Sequence, residues 1–263
     1  GSERIASIAL DDQGNVHVVG DTTSSDLPAT GWDRALGGNS DAFYAVFNSS
    51  GGLAFLTYIG GSGNEAATDI AFDSANNKIY ITGWTTSPNF VTTSNADQQF
   101  LRGGEDGFVL VVDNVSSTKF IEYASYVGGS GNDRISSVAL AEGSDSFYVV
   151  GLSNSNSFPS LITFNDPTGG YDAVVLRGNK LGTGSNTLAG RTLQYARFYG
   201  GTLDDRAADV AVDKKGFVHV AGTTSSGNFP LVNSLNPYGG GVSDGFLLVT
   251  TQLPQYPLFS TYV

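Results

Sequence analysis

The segment GGSGNEAATDIAFD at residues 60–73 returns as GGSGNDRISSVALA at 128–141 and as GGTLDDRAADVAVD at 200–213. A shorter copy, GSERIASIALD, occupies residues 1–11. Each copy runs into a second apolar segment, and these are VHVVGDTTS (16–24), IYITGWTTS (79–87), FYVVGLSNS (147–155) and VHVAGTTSS (218–226). Self-similarity of this kind identifies a repeat protein in which every copy is one structural unit.

Two further strands complete each of the four copies. The third strands are contained in GGNSDAFYAVF (37–47), GGEDGFVLVVD (103–113), GGYDAVVLRGN (169–179) and GGGVSDGFLLVT (239–250). The fourth are LAFLTYIG (53–60), FIEYASYVG (120–128), LQYARFYG (193–200) and LFSTYV (258–263). In the first strand, alternation predicts one face with Ile5, Ser7 and Ala9 and another with Ala6, Ile8 and Leu10.

A period of about 65 residues with four strands is typical of a propeller blade. We therefore expect an all-β fold, a β-propeller of four blades, each with four antiparallel strands. It would form a single domain over residues 1–263, with blades at approximately 1–59, 60–127, 128–199 and 200–263. Because Tyr262-Val263 ends where Gly1 resumes the pattern, a closed ring is the simplest expectation. A partial arc of a larger propeller and a half-ring that dimerises remain alternatives.

The repeats resemble the bacterial seven-bladed beta-propeller repeat family, known as SBBP repeats. The resemblance rests on Tyr58/Gly60/Gly61, Tyr126/Gly128/Gly129, Tyr199/Gly200/Gly201, Gly14/Asn15, Phe158/Pro159, Phe229/Pro230 and Asp41/Ala42/Phe43. The chain departs from the pattern at Leu27, at Val91 and in an insertion around 178–190. The resemblance implies a propeller with an extracellular or surface location, and no shared enzymatic activity.

Composition excludes several classes of partner and site. With 13 Lys and Arg against 25 Asp and Glu, the net charge is −12, so we expect no nucleic-acid partner and no binding to anionic membranes. The absence of cysteine excludes disulfides, thiol nucleophiles and thiolate metal sites. No apolar run approaches the ~20 residues of a membrane-spanning helix, so we expect no membrane insertion.

Several polar residues recur at equivalent positions of the copies, which predicts that they serve the fold. His17 and His219 occupy the position that Tyr80 and Tyr148 fill in the other copies, which predicts a packing role. Before each third strand stands an aspartate, and the four are Asp41, Asp106, Asp172 and Asp244. We expect these to accept backbone N–H bonds in turns, with a calcium site as the alternative and no other cofactor. Asp11 and Asp213 are predicted to form hairpin turns.

A second recurring feature places acid beside base at the start of the first strand. The pairs are Glu3-Arg4, Asp133-Arg134 and Asp205-Arg206, and Asn64-Glu65 departs from the pattern. We expect salt bridges or loop hydrogen bonds between blades, since adjacent opposite charges tend to satisfy one another. An anion-binding ring at the channel mouth is the alternative.

The long connections between second and third strands, near 24–40, 87–105, 155–171 and 226–243, differ most among the copies. Variable loops on a rigid scaffold are where binding tends to reside. Trp32, Phe100, Phe164 and Tyr238 lie in or near these loops and are our candidate ligand-binding residues. Packing under the loops is the structural alternative for these aromatic side chains.

No Gly-x-Ser-x-Gly elbow appears in a strand-to-helix context, and no catalytic cluster is confined to one copy. The leading hypothesis is a non-enzymatic module, secreted or on the surface of a bacterial or archaeal cell. It would bind a protein or glycan through its loop-rich face, for adhesion or for assembly of an extracellular structure. A hydrolase or lyase acting on polysaccharide through acidic residues at the channel mouth is the rival hypothesis. A structural subunit that self-assembles is the third.

Overall fold

The computed structural model describes residues 1–114, 119–156, 158, 162–164, 167–181, 192–237, 240–251 and 257–263, with the backbone alone for 163 and 164. Within these ranges the secondary structure consists of strands, turns and bends, with no helix. No described segment forms a helix long and apolar enough to cross a membrane. The all-β prediction is confirmed.

The strands form four antiparallel sheets in chain order. The first sheet contains β1 (Glu3–Leu10), β2 (Val16–Thr22), β3 (Asp41–Phe47) and β4 (Leu53–Ile59). The second contains β5 (Glu65–Asp73), β6 (Lys78–Thr85), β7 (Asp106–Asp113) and β8 (Phe120–Val127). The fourth contains β14 (Asp205–Val212), β15 (Val218–Thr224), β16 (Asp244–Thr250) and β17 (Pro257–Tyr262). In these three sheets each strand pairs with the next along the chain.

The third sheet has five strands. Four of them, β9 (Asp133–Leu140), β10 (Ser146–Ser153), β12 (Asp172–Asn179) and β13 (Leu193–Tyr199), repeat the common pattern. The fifth, β11 (Ile162–Phe164), pairs in parallel with the outer strand β13. The four predicted strands are present, and a segment of the variable connection adds a fifth strand at the free edge of β13.

A β-bulge interrupts the first strand of every sheet. In β1 the register shifts between Ile5 and Ser7, so that Ile5 faces Gly20 while Ser7 faces Val19. Ile5, Ile8 and Leu10 consequently share one face, and Ser7 and Ala9 share the other. The predicted strict alternation is wrong here, because a bulge places one extra residue in the strand.

The repeated glycine of the second strand is explained by this bulge. A side chain at Gly20 would lie 1.8 Å from the carbonyl oxygen of Arg4, and one at Gly151 would lie 1.8 Å from that of Arg134. A Cβ at Gly83 would lie 2.1 Å from the carbonyl oxygen of Ala66, and one at Gly222 would lie 2.1 Å from that of Arg206. Only a residue without a Cβ fits where the bulged strand approaches so closely.

The chain divides into two compact units, Gly1–Val127 and Gly128–Val263. In the first unit, Val19 and Tyr44 of the first sheet and Ile70, Ile81 and Phe108 of the second belong to one buried core. In the second unit, the third and fourth sheets share a core of the same kind. The single domain, the blade boundaries and the closure of the ring stay predictions.

Candidate functional site

The acidic residue that opens each first strand is held by a network built from repeated positions. Glu65 is fully buried. Its Oε2 accepts the backbone N–H of Gly61 at 2.8 Å, and its Oε1 accepts the hydroxyls of Ser87 at 2.6 Å and Thr85 at 2.7 Å. These donors satisfy both oxygens of the buried carboxyl group.

The same network is present at the other first strands. Gly129 N–H and Ser155 Oγ donate to Asp133 Oδ2, and Gly201 N–H and Ser226 Oγ donate to Asp205 Oδ2, at distances of 2.7–2.8 Å. In the first sheet, Ser24 Oγ donates to Glu3 Oε1. The carbonyls of Ser24, Ser87 and Ser226 in turn accept the hydroxyls of Tyr58, Tyr126 and Tyr262. These shared residues are therefore committed to the scaffold.

Arg4 and Arg206 pair with aspartates other than the acidic residue directly before each of them. Arg4 Nη2 lies 2.6 Å from Asp21 Oδ1, and Arg206 Nη2 lies 2.8 Å from Asp204 Oδ2. The predicted loop hydrogen bonds are present at Glu65, Asp133 and Asp205. The neighbouring arginines bind other aspartates, because consecutive side chains of a strand point to opposite faces.

The aspartates before the third strands accept backbone hydrogen bonds in turns, as predicted. Asp41 accepts from Gly37 N at 2.9 Å and Gly38 N at 3.2 Å, Asp106 from Arg102 N at 2.9 Å, and Asp172 from Thr168 N at 2.7 Å. Asp244 opens β16 and is half-buried. Among the described residues no group of three or more His, Asp or Glu side chains could hold a metal ion. Calcium binding stays a prediction.

Two of these aspartates lie close to the acidic residue of the following sheet. A methyl group added to Gly200 would lie 1.7 Å from Asp172 Oδ1 and 2.8 Å from Asp205 Oδ2. Burial, with the charge of Asp205, raises the pKa of Asp172 to about 6. In the first unit, burial and the charge of Asp41 raise the pKa of Glu65 in the same way.

Both histidines contact the aspartate of the preceding hairpin. His17 is fully buried, with Nδ1 2.7 Å from Tyr44 Oη and Nε2 3.2 Å from Asp11 Oδ2. Burial lowers the pKa of His17. His219 Nε2 lies 3.3 Å from Asp213 Oδ2. Asp11 Oδ1 accepts Gln13 N and Asn15 N, which confirms the predicted turn.

The first unit contains a cavity of about 430 Å³. Its apolar and aromatic lining residues are Trp32, Tyr58, Ile59, Val91, Phe120 and Ile121. Gly60, Asp33 and Lys119 complete the lining. Phe120 is 53% exposed, which places the cavity at the surface of the unit. Lys119 Nζ donates to Asn114 Oδ1, and burial lowers the pKa of Lys119.

Trp32 is held over the first sheet by two aromatic contacts. Its ring centroid lies 5.3 Å from that of Phe55 and 6.3 Å from that of Tyr44. The indole Nε1 is buried and has no hydrogen-bond acceptor within the part of the chain that the structure describes. Trp32 therefore combines an apolar ring with an unused donor.

Trp32 occupies a position that differs among the first, second and fourth copies. The residue after Trp32, Asp33, donates its backbone N–H to Thr57 Oγ1 at 3.0 Å. The equivalent bonds in the second and fourth copies run from Gln98 N–H to Ser125 Oγ and from Asn236 N–H to Thr261 Oγ1, both at 2.9 Å. Asp97 and Leu235 are consequently the counterparts of Trp32 in the second and fourth sheets. Because only the first copy carries tryptophan there, the loop geometry does not require it.

Of the four predicted ligand-binding residues, Trp32 lines this cavity. Phe100 is 72% exposed on the corresponding loop of the second sheet and is not a lining residue. Phe164 lies in β11 with its side chain outside the description, and Tyr238 lies outside the described residues. A ligand-binding role for all four stays a prediction.

Sequence reasoning missed Val91, Lys119, Phe120 and Ile121 as lining residues. Val91 stands where the SBBP pattern has proline, and this departure was the one available signal. Lys119, Phe120 and Ile121 belong to or adjoin the outer strand β8, whose register follows the repeat. They come close to Trp32 because two sheets pack together, and the sequence pattern alone does not show this.

Comparison with known families agrees with the repeat pattern. The model of the SBBP beta-propeller repeat matches residues 4–28, 54–90 and 194–230, which confirms the resemblance. These segments contain the network residues Ser24, Gly61, Glu65, Ser87, Gly201, Asp205 and Ser226. No curated protein matches the chain.

Proposed function

We propose that this propeller module is non-enzymatic and binds a glycan in the cavity beside Trp32. The observation that carries the proposal is the contrast between shared and unshared positions. The shared acids, serines and tyrosines are engaged in the scaffold network, whereas Trp32 is particular to one copy and lines a cavity.

The cavity has the size and chemistry of a sugar site. A volume of about 430 Å³ falls within the range of small-molecule sites, which are lined mainly by apolar and aromatic groups with a few polar ones. The aromatic rings of Trp32 and Phe120 suit the apolar C–H face of a sugar ring, because amphipathic contact surfaces favour such residues. Asp33 and Lys119 provide the polar groups at the lining.

The first experiment measures binding by calorimetry with short oligosaccharides of glucose, N-acetylglucosamine, xylose and mannose. Trp32→Ala should weaken binding of the preferred oligosaccharide by about tenfold or more, as the loss of a buried aromatic anchor does at interfaces. Leu235→Ala is the matched control, because Leu235 occupies the same loop position, is 85% exposed and lies in the other unit. It should leave the affinity unchanged.

Trp32 also packs on Phe55, so a second variant separates binding from local unfolding. Phe120→Ala removes a side chain that lines the cavity and is 53% exposed. It should weaken binding several-fold with an unchanged unfolding midpoint. Failure of every oligosaccharide to bind, or full affinity in both variants, would contradict the proposal.

The proposal includes a secreted or cell-surface location, supported by the low content of charged residues, 14%, and by the SBBP repeats. Fractionation of the source cells would test it. The absence of catalysis is tested by incubating the protein with the parent polysaccharides. We expect no new reducing ends and no unsaturated products, and their appearance would favour the rival hydrolase or lyase.

A further inference from the structure

Two buried carboxyl groups of the second unit converge beside Gly200. Asp172 is the first residue of β12 in the third sheet, and Asp205 is the first residue of β14 in the fourth. They are 1% and 0% exposed. A methyl group added to Gly200 would lie 1.7 Å from Asp172 Oδ1 and 2.8 Å from Asp205 Oδ2, so both carboxyl groups border the same point. We name Asp172 and Asp205 the acid pair.

Each carboxyl group of the acid pair has one buried oxygen that receives no hydrogen bond. Asp172 Oδ2 accepts the backbone N–H of Thr168 at 2.7 Å. Asp205 Oδ2 accepts Gly201 N–H at 2.7 Å and Ser226 Oγ at 2.8 Å. The two Oδ1 atoms are buried and have no donor among the residues that the structure describes. Such an atom requires a proton, a water molecule or an ion, because leaving it unsatisfied costs free energy.

The equivalent pair of the first unit has protein donors on every carboxyl oxygen. Asp41 and Glu65 occupy the same two positions, at the start of β3 and of β5. Gly37 N–H donates to Asp41 Oδ2 and Gly38 N–H to Asp41 Oδ1. Both oxygens of Glu65 accept hydrogen bonds in the same way. The two unsatisfied oxygens are therefore a property of the second unit, and the repeated fold does not require them.

The charge of the acid pair favours a cation over water as the missing partner. Two carboxylates that converge in a buried place repel each other, and a divalent cation would neutralise both. Burial, together with the charge of Asp205, raises the pKa of Asp172 to about 6, which agrees with this crowding of negative charge. At neutral pH both groups are then ionised for much of the time, and both Oδ1 atoms are available as ligands.

The surroundings of the acid pair offer further oxygen ligands and a path from solvent. The carbonyl oxygen of Tyr171 accepts Asp205 N–H at 2.6 Å, and that of Gly201 accepts the Thr168 hydroxyl at 2.9 Å. Residues 168–170 and 202–203, in the turns next to the pair, are exposed. Oxygen ligands alone suit a hard cation, and calcium accepts carboxylates, backbone carbonyls and water in a flexible geometry.

We propose that the acid pair binds a calcium ion between the third and fourth sheets, with Asp172 Oδ1 and Asp205 Oδ1 as its carboxylate ligands. Backbone carbonyls of the adjoining turns and water molecules complete its coordination. Because the site has two carboxylates, its affinity is modest, with a dissociation constant of about 10⁻⁴–10⁻³ M, as in extracellular calcium modules. The ion joins two sheets of one unit, and this role is independent of the glycan cavity in the other unit.

Calorimetric titration of the EDTA-treated, dialysed protein with calcium chloride tests the proposal. We expect one ion per chain. Asp172→Asn should weaken binding by about tenfold or more, because it removes one of the two ligand charges. The amide oxygen still accepts the N–H of Thr168, so the turn is retained. Asp41→Asn, the same substitution at the equivalent position of the first unit, is the matched control and should keep the affinity.

Thermal unfolding distinguishes lost binding from lost folding. Millimolar calcium should raise the unfolding midpoint of the unsubstituted protein above its value in EDTA, because a ligand that binds the folded state stabilises it. In Asp172→Asn the midpoint should be the same with calcium and with EDTA, and a cooperative transition in EDTA shows that the variant is folded. No binding of calcium at millimolar concentration, or full affinity in Asp172→Asn, would overturn the proposal. An equal rise of the midpoint in sodium chloride of the same ionic strength would also overturn it.

Discussion

Ser7 Oγ donates a hydrogen bond of 2.7 Å to Asp69 Oδ1, and so joins the first strands of two successive sheets. Ser137 and Asp209 make the same bond in the second unit, also at 2.7 Å. The residue four positions after the acidic residue of the first strand is thus serine in one sheet and aspartate in the next. The same serine–aspartate hydrogen bond therefore joins the two sheets of each unit.

Removal of this serine hydroxyl should destabilise the unit that contains it. Ser7→Ala should lower the free energy of unfolding by about 1–2 kcal/mol, because hydrogen bonds to charged groups are stronger than neutral ones. Ser137→Ala should have an effect of similar size in the second unit. Urea unfolding measures both, with Ser50→Ala as the control at an exposed turn. Equal stability of Ser7→Ala and Ser50→Ala would contradict the role of the bond.

Asp172 should make the second unit more stable as the pH falls from about 6 towards 4. Its pKa is raised to about 6 in the folded state from an ordinary 3.8, so between these values the folded state holds a proton that the unfolded chain has lost. Folding is therefore favoured at the acid end of this window and loses that advantage above pH 6.

Asp172→Asn should remove this dependence and stabilise the unit near neutral pH by about 1–3 kcal/mol, because the amide needs no proton. The carboxamide oxygen can still accept the N–H of Thr168. Denaturant unfolding of both proteins from pH 4 to pH 8 provides the measurement. A constant difference between them across that range would show that Asp172 does not titrate there.

His17 should have the opposite effect on stability: the first unit should become less stable as the pH falls. Its pKa is lowered by burial from 6.5, so as the pH falls below that value the unfolded chain takes up a proton that the folded state resists. Stability is therefore lost on acidification. His17→Tyr, the residue found at the equivalent positions 80 and 148, should abolish this loss. His219→Tyr is the matched control in the second unit. An unaltered pH profile for His17→Tyr would contradict this assignment.

Gly151→Ala should be strongly destabilising, by about 3 kcal/mol or more, because the new methyl group would clash with a backbone carbonyl that cannot move freely. That methyl group would lie 1.8 Å from the carbonyl oxygen of Arg134. Gly245→Ala in β16 is the control, since its methyl would lie at an ordinary 3.5 Å from Val263. Thermal unfolding compares the two, and a similar small shift for both would refute a requirement for glycine at the bulge.

Features that depend on local pattern could be predicted from the sequence. The four-fold recurrence and the period-two stretches indicate the sheets, and the hairpin role of Asp11 follows from Asp and Asn chemistry in turns. The bulge at Ala6 could not be predicted, because it depends on which residue of β2 each residue of β1 meets. The pairing of β11 with β13 was not predicted either, because β11 lies in a variable connection and the repeat does not show which strand it meets.

The candidate site was predicted in part. Trp32 is a candidate because it stands in a variable loop, and it does line the cavity. The lining contributed by Phe120 and Ile121 was not predicted, because those residues belong to a repeated strand. The pairing of Arg4 with Asp21 instead of Glu3 was missed, since sequence adjacency does not fix the direction of a side chain.

Fluorescence of Trp32 tests most directly whether the residue particular to one copy performs the binding. The chain has two tryptophans, Trp32 and Trp84, so Trp84→Phe leaves Trp32 as the single reporter. Titration with the oligosaccharide that binds most tightly should change the emission of Trp32 saturably, with a midpoint equal to the calorimetric dissociation constant. Binding detected by calorimetry with no change in Trp32 emission would contradict the assignment of the site.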